Sequence, residues 1–471
     1  MELLNKETIE SIYEKATDIL ASVGVEFELD SAVELFKKNG AKVEGKKVVI
    51  SPSLLKTALD SLPKVKYTPT QNRRLVAASP FSNAPMIIDD ITGKIRRGNI
   101  QDAVRMYQLA ETCDLYESVN PGVVDPEGND SEDQYIGQIA MMLKYSDKFP
   151  NLSLRATKSS SKRGDVYTSA KKAIQLIKEI KGDDSSPAMG QGICPMSPLS
   201  YDEESLINLT VLVEEEQDIT IFPCTLSFMT GPESLLGIVV HDIAICLAGV
   251  VYVQLLKPGT RVAFSNFSTM TDMRSLQPTY GSPEFLHVQI MFYEVCLHFE
   301  MHCVLCGCLS DGTRNDYQGG FESCFTSIAP YYMTHVDEIW CYPGLMAAFA
   351  GGSFKKMILD EELMINCNRT LQGLSLSFDP MLKDKLVESM KTRSFLTIGS
   401  PAIYRKEQRV SNIFDKNGID PNNFSSEVPV DVNISKEIEK RLAAYILPDR
   451  SEEQKKYLQK YLPSQCKTNR R

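Results

Sequence analysis

The sequence predicts an α/β protein, a (β/α)8 TIM barrel with a helical extension before it and a helical tail after it. Short apolar or β-branched runs are separated by segments of helical periodicity, at a spacing of roughly 30 to 40 residues. The runs are centred near Met86, Ser118, Leu152, Met189, Ile221, Val262, Val304 and Ile339. No dinucleotide or phosphate-loop pattern follows any of them, which disfavours the alternative, a doubly wound open sheet.

The predicted helices follow the runs along the chain. They cover residues 132–144, 166–180, 202–216, 233–256, 284–300, 316–333 and 354–371. One start is marked clearly, because Ser282 is a good N-cap and Pro283 fits the first helical position. We therefore divide the chain into an N-terminal helical extension (1–84), a barrel catalytic domain (85–400) and a C-terminal helical extension (401–471).

Composition excludes several classes of protein. The chain has 471 residues and a net charge of −10, which argues against nucleic-acid binding. The first 30 residues form an amphipathic helix with acidic residues, unlike a signal peptide. The apolar segment 235–256 is long enough to span a membrane, but His241, Asp242 and Gln254 interrupt it and favour a buried helix. We expect a cytoplasmic protein without membrane contact.

The twelve cysteines lie mostly in apolar runs rather than at regular loop spacings. This distribution indicates buried free thiols in a reducing compartment and not a disulfide framework.

The segment 278–323 is the first place to expect chemistry. A helix leads into a buried strand near residues 302–309, and a polar loop follows at the carboxyl end of that strand, where α/β barrels place their active sites. The loop carries Asp311, Asp316, Gln318 and Glu322. Its carboxylates suit acid–base work or a purely architectural role, and the sequence leaves both open.

Aromatic side chains recur where predicted strands end. Because aromatic faces attract cations, several of them around one mouth would hold a quaternary ammonium group. The residues are Phe228, Phe264, Phe267, Tyr280, Trp340 and Tyr342, and Phe354 begins the helix after the last strand.

A zinc site is an alternative on the same segment. His298 and His302 are four residues apart, and Cys303, Cys306 and Cys308 follow. The change from helix to strand falls among them, however, and alternate strand residues face opposite sides, so we expect scaffold and no metal. Because His241 and Asp242 lie inside the apolar segment 235–256, we interpret them as a hydrogen-bonded core pair rather than a catalytic dyad.

Several motifs, in order between about residues 109 and 371, resemble the trimethylamine:corrinoid methyltransferase family. They include PGTRVAFSNFSTMTDMRS, YGSPEF, SDGTRNDYQGGFES, CPMSPLSYDEESL and GGSFKKMILDEEL. The resemblance implies a TIM barrel that moves a methyl group from a methylated amine to the cobalt of a separate corrinoid protein. Founding members carry pyrrolysine near the sixth strand, and this chain has none, which resembles the branch acting on glycine betaine, proline betaine, carnitine or γ-butyrobetaine.

This chemistry needs little from conventional catalytic groups. Co(I) is a strong nucleophile and a quaternary ammonium leaves as a neutral amine, so we predict no acid–base residue and no bound metal. The chain departs from the family at His241-Asp242 and at Ser310-Asp311-Gly312-Thr313, which replaces an SDAK-like run. Both departures bear on the identity of the substrate.

The site hypothesis follows from the resemblance and the residues together. Trp340, Tyr342, Phe264 and Phe354, with Phe228 and Tyr280, are expected around the cation. Arg314, Asn266 or His335 is expected at the substrate carboxylate, while Asp311, Asp316, Gln318 and Glu322 shape the loop.

We expect no tightly bound cofactor, a cobalamin (corrinoid) supplied by the partner protein, and a homo-oligomer. The alternatives are a zinc-dependent methyltransferase that activates an alcohol or thiol through His298, His302 and Cys303, and a non-catalytic betaine-binding barrel.

Overall fold

A computed structural model describes residues 2–65, 73–89, 92–123, 125–151, 156–160, 165–182, 187–371, 378–418 and 428–467. The helices within these residues are α1 (Lys6–Ser22), α2 (Asp30–Lys38), α3 (Pro52–Ser61), α4 (Ile100–Glu111), α5 (Gln134–Tyr145), α6 (Val166–Lys181), α7 (Glu203–Glu214), α8 (Leu235–Leu256), α9 (Pro283–His298), α10 (Tyr317–Met333), α11 (Phe354–Leu371), α12 (Leu382–Thr392), α13 (Pro401–Glu407), α14 (Pro429–Ala444), α15 (Glu452–Gln459) and α16 (Ser464–Lys467).

The strands are short and alternate with these helices. They are β1 (Val25–Phe27), β2 (Lys42–Glu44), β3 (Lys47–Val49), β4 (Arg74–Ala77), β5 (Met86–Ile88), β6 (Ile95–Arg97), β7 (Ser118–Val119), β8 (Phe149–Pro150), β9 (Gly190–Ile193), β10 (Ser200–Tyr201), β11 (Asp218–Ile221), β12 (Ala263–Phe264), β13 (Thr271–Asp272), β14 (Gln277–Pro278), β15 (His302–Cys303), β16 (Leu305–Gly307), β17 (Glu338–Cys341), β18 (Leu345–Met346) and β19 (Gly351–Gly352). The chain is thus a mixed α/β protein, as predicted.

The central strands run parallel and pair largely in chain order. One sheet has the order β15-β12-β11-β9, a second has β16-β17-β4, and β7 pairs with β8. In the longest register, Asp218 to Ile221 of β11 lie opposite Gly190 to Ile193 of β9. Because helices α6, α7, α8, α9 and α10 separate successive strands, the parallel strands have their carboxyl ends on one side of the molecule.

The prediction for the first strand was wrong. The run near Met86 forms β5, which pairs antiparallel with β6 and parallel with β19. The strand that pairs with β17 is β4, at Arg74–Ala77, inside the segment assigned to the N-terminal extension. The run was misassigned because it is one arm of a hairpin with β6, in which the Asp89 N–H donates to the Lys94 carbonyl. Leu152 lies outside the described residues, and β8 is the nearest described strand.

Two predicted helices have the expected local causes. Ser282 caps α9 by accepting a hydrogen bond from the Phe285 N–H, and Pro283 occupies the first turn. Helix α8 is apolar on all sides and is therefore buried. Among the helices described, it alone is long and apolar enough to cross a membrane by length and composition, and 83% of its most apolar window is buried in the protein.

The terminal extensions pack onto the central elements. Phe27 and Phe36 of the N-terminal segment stack against Tyr201 and Tyr252, which fixes β1 to β10 and α2 to α8. At the other end, the buried Arg441 of α14 donates to the Glu361 carboxylate of α11 at 2.5 Å. These contacts hold both extensions against the layer of helices around the strands.

Candidate functional site

A cavity of about 540 Å³ opens at the carboxyl ends of the parallel strands. On three strands the wall residues are two apart, because alternate side chains of a strand point to the same face. They are Thr220, Phe222 and Cys224 in and after β11, Ser265 and Phe267 beyond β12, and Trp340 and Tyr342 at the end of β17, whereas β9 and the residue after it contribute Gln191 to Cys194 consecutively. The loop residues Tyr280 and Phe349 complete this wall.

Five aromatic rings in this wall contact one another around Phe267. The centroid of the Phe267 ring lies 5.5 Å from Phe222, 5.7 Å from Tyr342 and 5.4 Å from Phe349. Tyr280 contacts Phe349 at 5.0 Å. All four pairs meet edge to face, so rings of different orientation surround one space. Trp340 lines the same cavity and remains partly exposed.

The Phe349 ring is positioned by an unusual backbone segment. Ala347, Ala348 and Phe349 all have positive φ angles, of 49°, 51° and 74°. Each such residue costs of order 1–2 kcal/mol when it is not glycine, so the surroundings must hold the segment in place. The N–H groups of Ala347 and Ala348 donate to the carbonyls of Gly312 and Ser310, at 3.0 and 3.1 Å. The loop after β16 thereby positions an aromatic residue that follows β17.

The Glu322 carboxylate organises that loop. Its Oε2 accepts hydrogen bonds from the Ser310 hydroxyl and the Asp311 N–H, both at 2.8 Å, and from the Gly312 N–H at 3.2 Å. Gln318 donates to Oε1 at 2.8 Å. Asp316 caps α10 through the Gly319 N–H. Glu322 therefore serves several donors of the loop at once.

Asp311 links the same loop to the segment before α9. Its two carboxylate oxygens accept from the N–H groups of Tyr280 and Gly281, each at 2.8 Å. Burial raises the pKa of the Asp311 carboxyl to about 6, and the neighbouring Glu322 charge acts in the same direction. The two backbone donors oppose this shift. Asp311 therefore places Tyr280, one of the rings of the cavity wall.

Three predicted site residues do not reach the cavity lining. Neighbouring residues of a strand face opposite sides. Phe264 and Asn266 therefore point away from the cavity, whereas Ser265 and Phe267 line it. Phe264 is buried, and Asn266 donates to the Asp242 carboxylate at 2.8 Å. Phe354 packs edge to face on Phe81, with their centroids 5.0 Å apart.

Three further residues of the site hypothesis lie on the surface. Phe228 is 64% exposed, and Arg314 lies on the exposed part of the loop before α10. His335 precedes β17 and is exposed beside a separate cavity of about 250 Å³. Because the strands are parallel, the amino end of β17 lies on the side away from the aromatic cavity.

His241 and Asp242 form a buried network with their surroundings. The Leu199 N–H donates to His241 Nε2 at 3.2 Å, so this nitrogen is the acceptor and Nδ1 carries the proton. His241 Nδ1 lies 3.0 Å from the Asp242 carboxylate, which also accepts from Thr225 and Asn266. The pair is hydrogen-bonded core structure, as the sequence predicted.

The geometry of the zinc alternative is unfavourable. His302 is exposed while Cys303 is buried, as the alternation of a strand requires. Within the part of the chain that is described, no three His, Cys, Asp or Glu side chains are grouped so that they could hold a metal ion. The twelve cysteines are free thiols, in agreement with the sequence.

Several residues of the aromatic wall were not predicted from the sequence. Phe267 was noted among the strand ends but the cation was assigned to Phe264, and Phe222 and Phe349 were not singled out. Phe222 lies two residues from Cys224, and Phe267 lies two residues from Ser265, so each shares a strand face with a polar residue of the wall. This spacing could have indicated both rings. No local pattern marks Phe349.

A thiol pair also borders the cavity. Cys194 and Cys224 both line it and hydrogen-bond to each other. This contact with Cys194, and then burial, raise the pKa of the Cys224 thiol well above its ordinary value. Cys224 therefore stays protonated and is a poor nucleophile.

The chain is similar to several known methyltransferases. The chain is 31% identical to the proline betaine:corrinoid methyltransferase of Eubacterium limosum, over 97% of this chain and 96% of the relative. It is 31% identical to the L-carnitine:corrinoid methyltransferase of the same organism, over 98% and 97%, and 26% identical to the glycine betaine methyltransferase of Desulfitobacterium hafniense, over 84% and 82%.

The fold is shared with a solved structure. The crystal structure of the monomethylamine methyltransferase of Methanosarcina barkeri superposes with a TM-score of 0.53 at 9% identity, over 95% of this chain and 89% of that one. The model of the trimethylamine methyltransferase (MTTB) family matches residues 1–466. The chain therefore belongs to the trimethylamine methyltransferase family.

Proposed function

We propose that the protein transfers a methyl group from a small betaine-type quaternary amine to Co(I) of a corrinoid protein. The observation that carries the proposal is the cavity of aromatic rings at the strand ends, whose lining also includes the carboxylates Asp202 and Glu204. Aromatic faces and negative charge both favour a cation over a neutral amine. The relatives are methyltransferases for proline betaine, carnitine and glycine betaine, and they indicate the chemical class of the substrate.

We propose a (β/α)8 barrel as the scaffold. Isolated parallel bridges support continuity between the sheets, since Ala77 pairs with Tyr116 next to β7 and Asn151 pairs with Gly190 of β9. Only Val304 separates β15 from β16, and β17 pairs with β4. On this proposal the barrel domain begins at β4 rather than at residue 85, while the extensions before it and after residue 400 remain as predicted.

The cation cage is assigned to Phe267, Phe349, Tyr342, Tyr280 and Trp340. Each lines the cavity, and four of the five are rings of the Phe267 cluster. The substrate carboxylate is assigned to the polar side of the cavity, where Asn83 and Thr157 lie, and not to the surface residue Arg314. Asp311, Asp316, Gln318 and Glu322 act on the substrate only through the loop that they hold.

The protein's part in the reaction is placement. Co(I) donates an electron pair to the methyl carbon, the carbon–nitrogen bond breaks, and its electrons neutralise the nitrogen, so no proton moves. The aromatic wall holds the ammonium group, fixes one N-methyl toward the opening and excludes water, which would compete for the cavity. No side chain of the cavity is required as an acid or base.

The remaining features of the proposal concern assembly and location. We propose a cytoplasmic homo-oligomer without a tightly bound cofactor of its own. Helix α12 supports self-association, because its eleven residues bury only Ser389 while Leu382, Leu386, Val387 and Met390 are exposed. A helix of this length is marginal alone in water and gains stability from a partner. Light scattering after gel filtration measures the mass of the particle in solution. A monomeric mass would overturn the proposal of a homo-oligomer.

The central experiment is a spectroscopic assay. The protein is mixed with cob(I)alamin and, in turn, proline betaine, glycine betaine, carnitine and γ-butyrobetaine, and the spectrum is followed for methyl-cobalt. We expect methyl-cobalt with at least one of them. No methyl-cobalt with any betaine would favour the non-catalytic barrel, and stoichiometric zinc in the purified protein would favour the zinc-dependent methyltransferase.

A further inference from the structure

A ring of exposed apolar side chains lies on the loops that follow β9, β11 and β12. We call it the apolar rim and define it as Met196, Phe228, Met229, Met273 and Leu276. Each side chain is at least half exposed to solvent. All five belong to loops at the carboxyl ends of parallel strands, the side on which the aromatic cavity opens. Exposed apolar groups gathered on one side of a protein mark an interaction surface.

The turn that carries Phe228 is rigid. The N–H groups of Met229, Thr230 and Gly231 all donate to the Leu226 carbonyl, at 2.9 to 3.1 Å. Phe228 itself has a φ angle of 61° and exposes 64% of its surface. A phenylalanine that is left-handed and faces solvent contributes nothing to folding. The surrounding hydrogen bonds hold Phe228 in this conformation at a cost of about 1 kcal/mol or more.

A second turn repeats this construction. The hairpin of β13 and β14 presents Met273 and Leu276 at its tip, and Leu276 has a φ angle of 58°. The Leu276 N–H donates to the Asp272 carbonyl at 2.7 Å, while the Asp272 carboxylate binds Arg274 at 2.8 Å. Two independent turns thus hold a large apolar residue outward in a left-handed conformation.

The two turns form one surface. The Ser227 N–H donates to the Thr269 carbonyl at 3.1 Å, and the Thr271 N–H donates to the Ser227 hydroxyl at 2.9 Å. On the other side, the hydroxyls of Ser197 and Thr225 are 2.8 Å apart, which joins the loop of Met196 to the Phe228 turn. The three loops that carry the apolar rim are therefore joined to one another and preorganised.

We propose that the apolar rim is the docking surface for the corrinoid protein, an inference that rests on the proposed function. The methyl group sits in the cavity, so a cobalt carried by another protein must approach through the opening, and the polypeptide around that cobalt must rest on the loops beside it. Methionine side chains adapt to a partner that arrives and leaves, and an exposed phenylalanine is a typical anchor. The partner surface that fits the rim is apolar rather than acidic or basic.

The test separates docking from chemistry by using two acceptors. Phe228→Asn and Leu276→Asn remove the apolar groups, and asparagine adopts left-handed backbone more readily than other side chains, so both turns should fold. The matched control is Tyr332→Asn, because Tyr332 is also 64% exposed but lies in the last turn of α10, near the amino end of β17. The acceptors are free cob(I)alamin and whichever corrinoid protein the unaltered chain methylates.

With the corrinoid protein, each rim variant should raise the KM for that protein about tenfold or more, the effect of losing a hot-spot residue. With free cob(I)alamin, the same variants and the Tyr332→Asn control should match the unaltered chain. Equal KM values for the corrinoid protein in rim variants and control would overturn the docking proposal. Loss of activity toward free cob(I)alamin in the unaltered chain would instead overturn the proposed function.

Discussion

Replacing Phe267 by leucine tests the cation cage most directly. Phe267 is 6% exposed and contacts Phe222, Tyr342 and Phe349, so it is the centre of the aromatic wall. A cation on the face of a desolvated ring is stabilised by about 2 kcal/mol, which corresponds to a factor of about 30 in Kd. Leucine keeps an apolar wall of similar size but has no ring quadrupole.

The matched control lies on the same strand end. Phe264→Leu makes the identical substitution three residues earlier, at a buried ring that faces away from the cavity. It should reduce the free energy of unfolding by less than about 1.5 kcal/mol and leave Kd unchanged. Binding of the productive betaine is measured by titration calorimetry, with KM in the cob(I)alamin assay as the second readout.

A neutral ligand separates charge from shape. The neutral analogue has carbon in place of the quaternary nitrogen. The unaltered protein and the Phe267→Leu variant should bind this analogue with nearly equal Kd, because no cation is present for Phe267 to stabilise. The reasoning is refuted if Phe267→Leu and Phe264→Leu weaken betaine binding equally. It is also refuted if Phe267→Leu weakens the neutral analogue as much as the betaine.

Three further predictions concern the loop after β16 and the buried ion pair of Lys356 with Asp360. Glu322→Ala leaves the Asp311 N–H and the Ser310 hydroxyl without their acceptor, so KM for the betaine should rise tenfold or more, about 1.4 kcal/mol, and an unchanged KM contradicts the role of the loop. Burial raises the pKa of Asp311 from 3.8 to about 6, so its contribution to the free energy of unfolding is fully present below pH 3.8 and lost as pH rises through 6; Asp311→Asn should remove that component from denaturant titrations. Lys356→Met strands the buried Asp360 carboxylate and should cost about 3–5 kcal/mol in thermal or denaturant unfolding, whereas Lys356→Met with Asp360→Leu should recover much of it.

Much of the architecture was accessible from the sequence because its causes are local. The start of α9 depends on Ser282 and Pro283, and the burial of α8 depends on an apolar surface on every side. The first parallel strand was not accessible in the same way. Its sequence RLVA is short, whereas MII is the stronger β-branched run, and only the pairing of β4 with β17 decides between them.

The site was predicted by region but not by residue. Strand parity decides between Phe264 and Phe267, and an error of one position reverses the face. Phe349 enters the cavity only because the carbonyls of Ser310 and Gly312 hold its segment in a left-handed conformation. That contact joins residues far apart in sequence, so no local pattern could indicate it.

An electrophilic methyl group beside a thiol raises a problem of selectivity, since a thiolate would accept the methyl group in place of cobalt. Cys224 lines the cavity, but its hydrogen bond with Cys194 and its burial raise the pKa of the thiol well above its ordinary value. The thiolate is therefore scarce at neutral pH, and the protonated thiol is a weak nucleophile. The same burial that dries the cavity for the cation thus keeps the Cys224 thiol protonated, so this thiol does not compete with the acceptor that enters from outside.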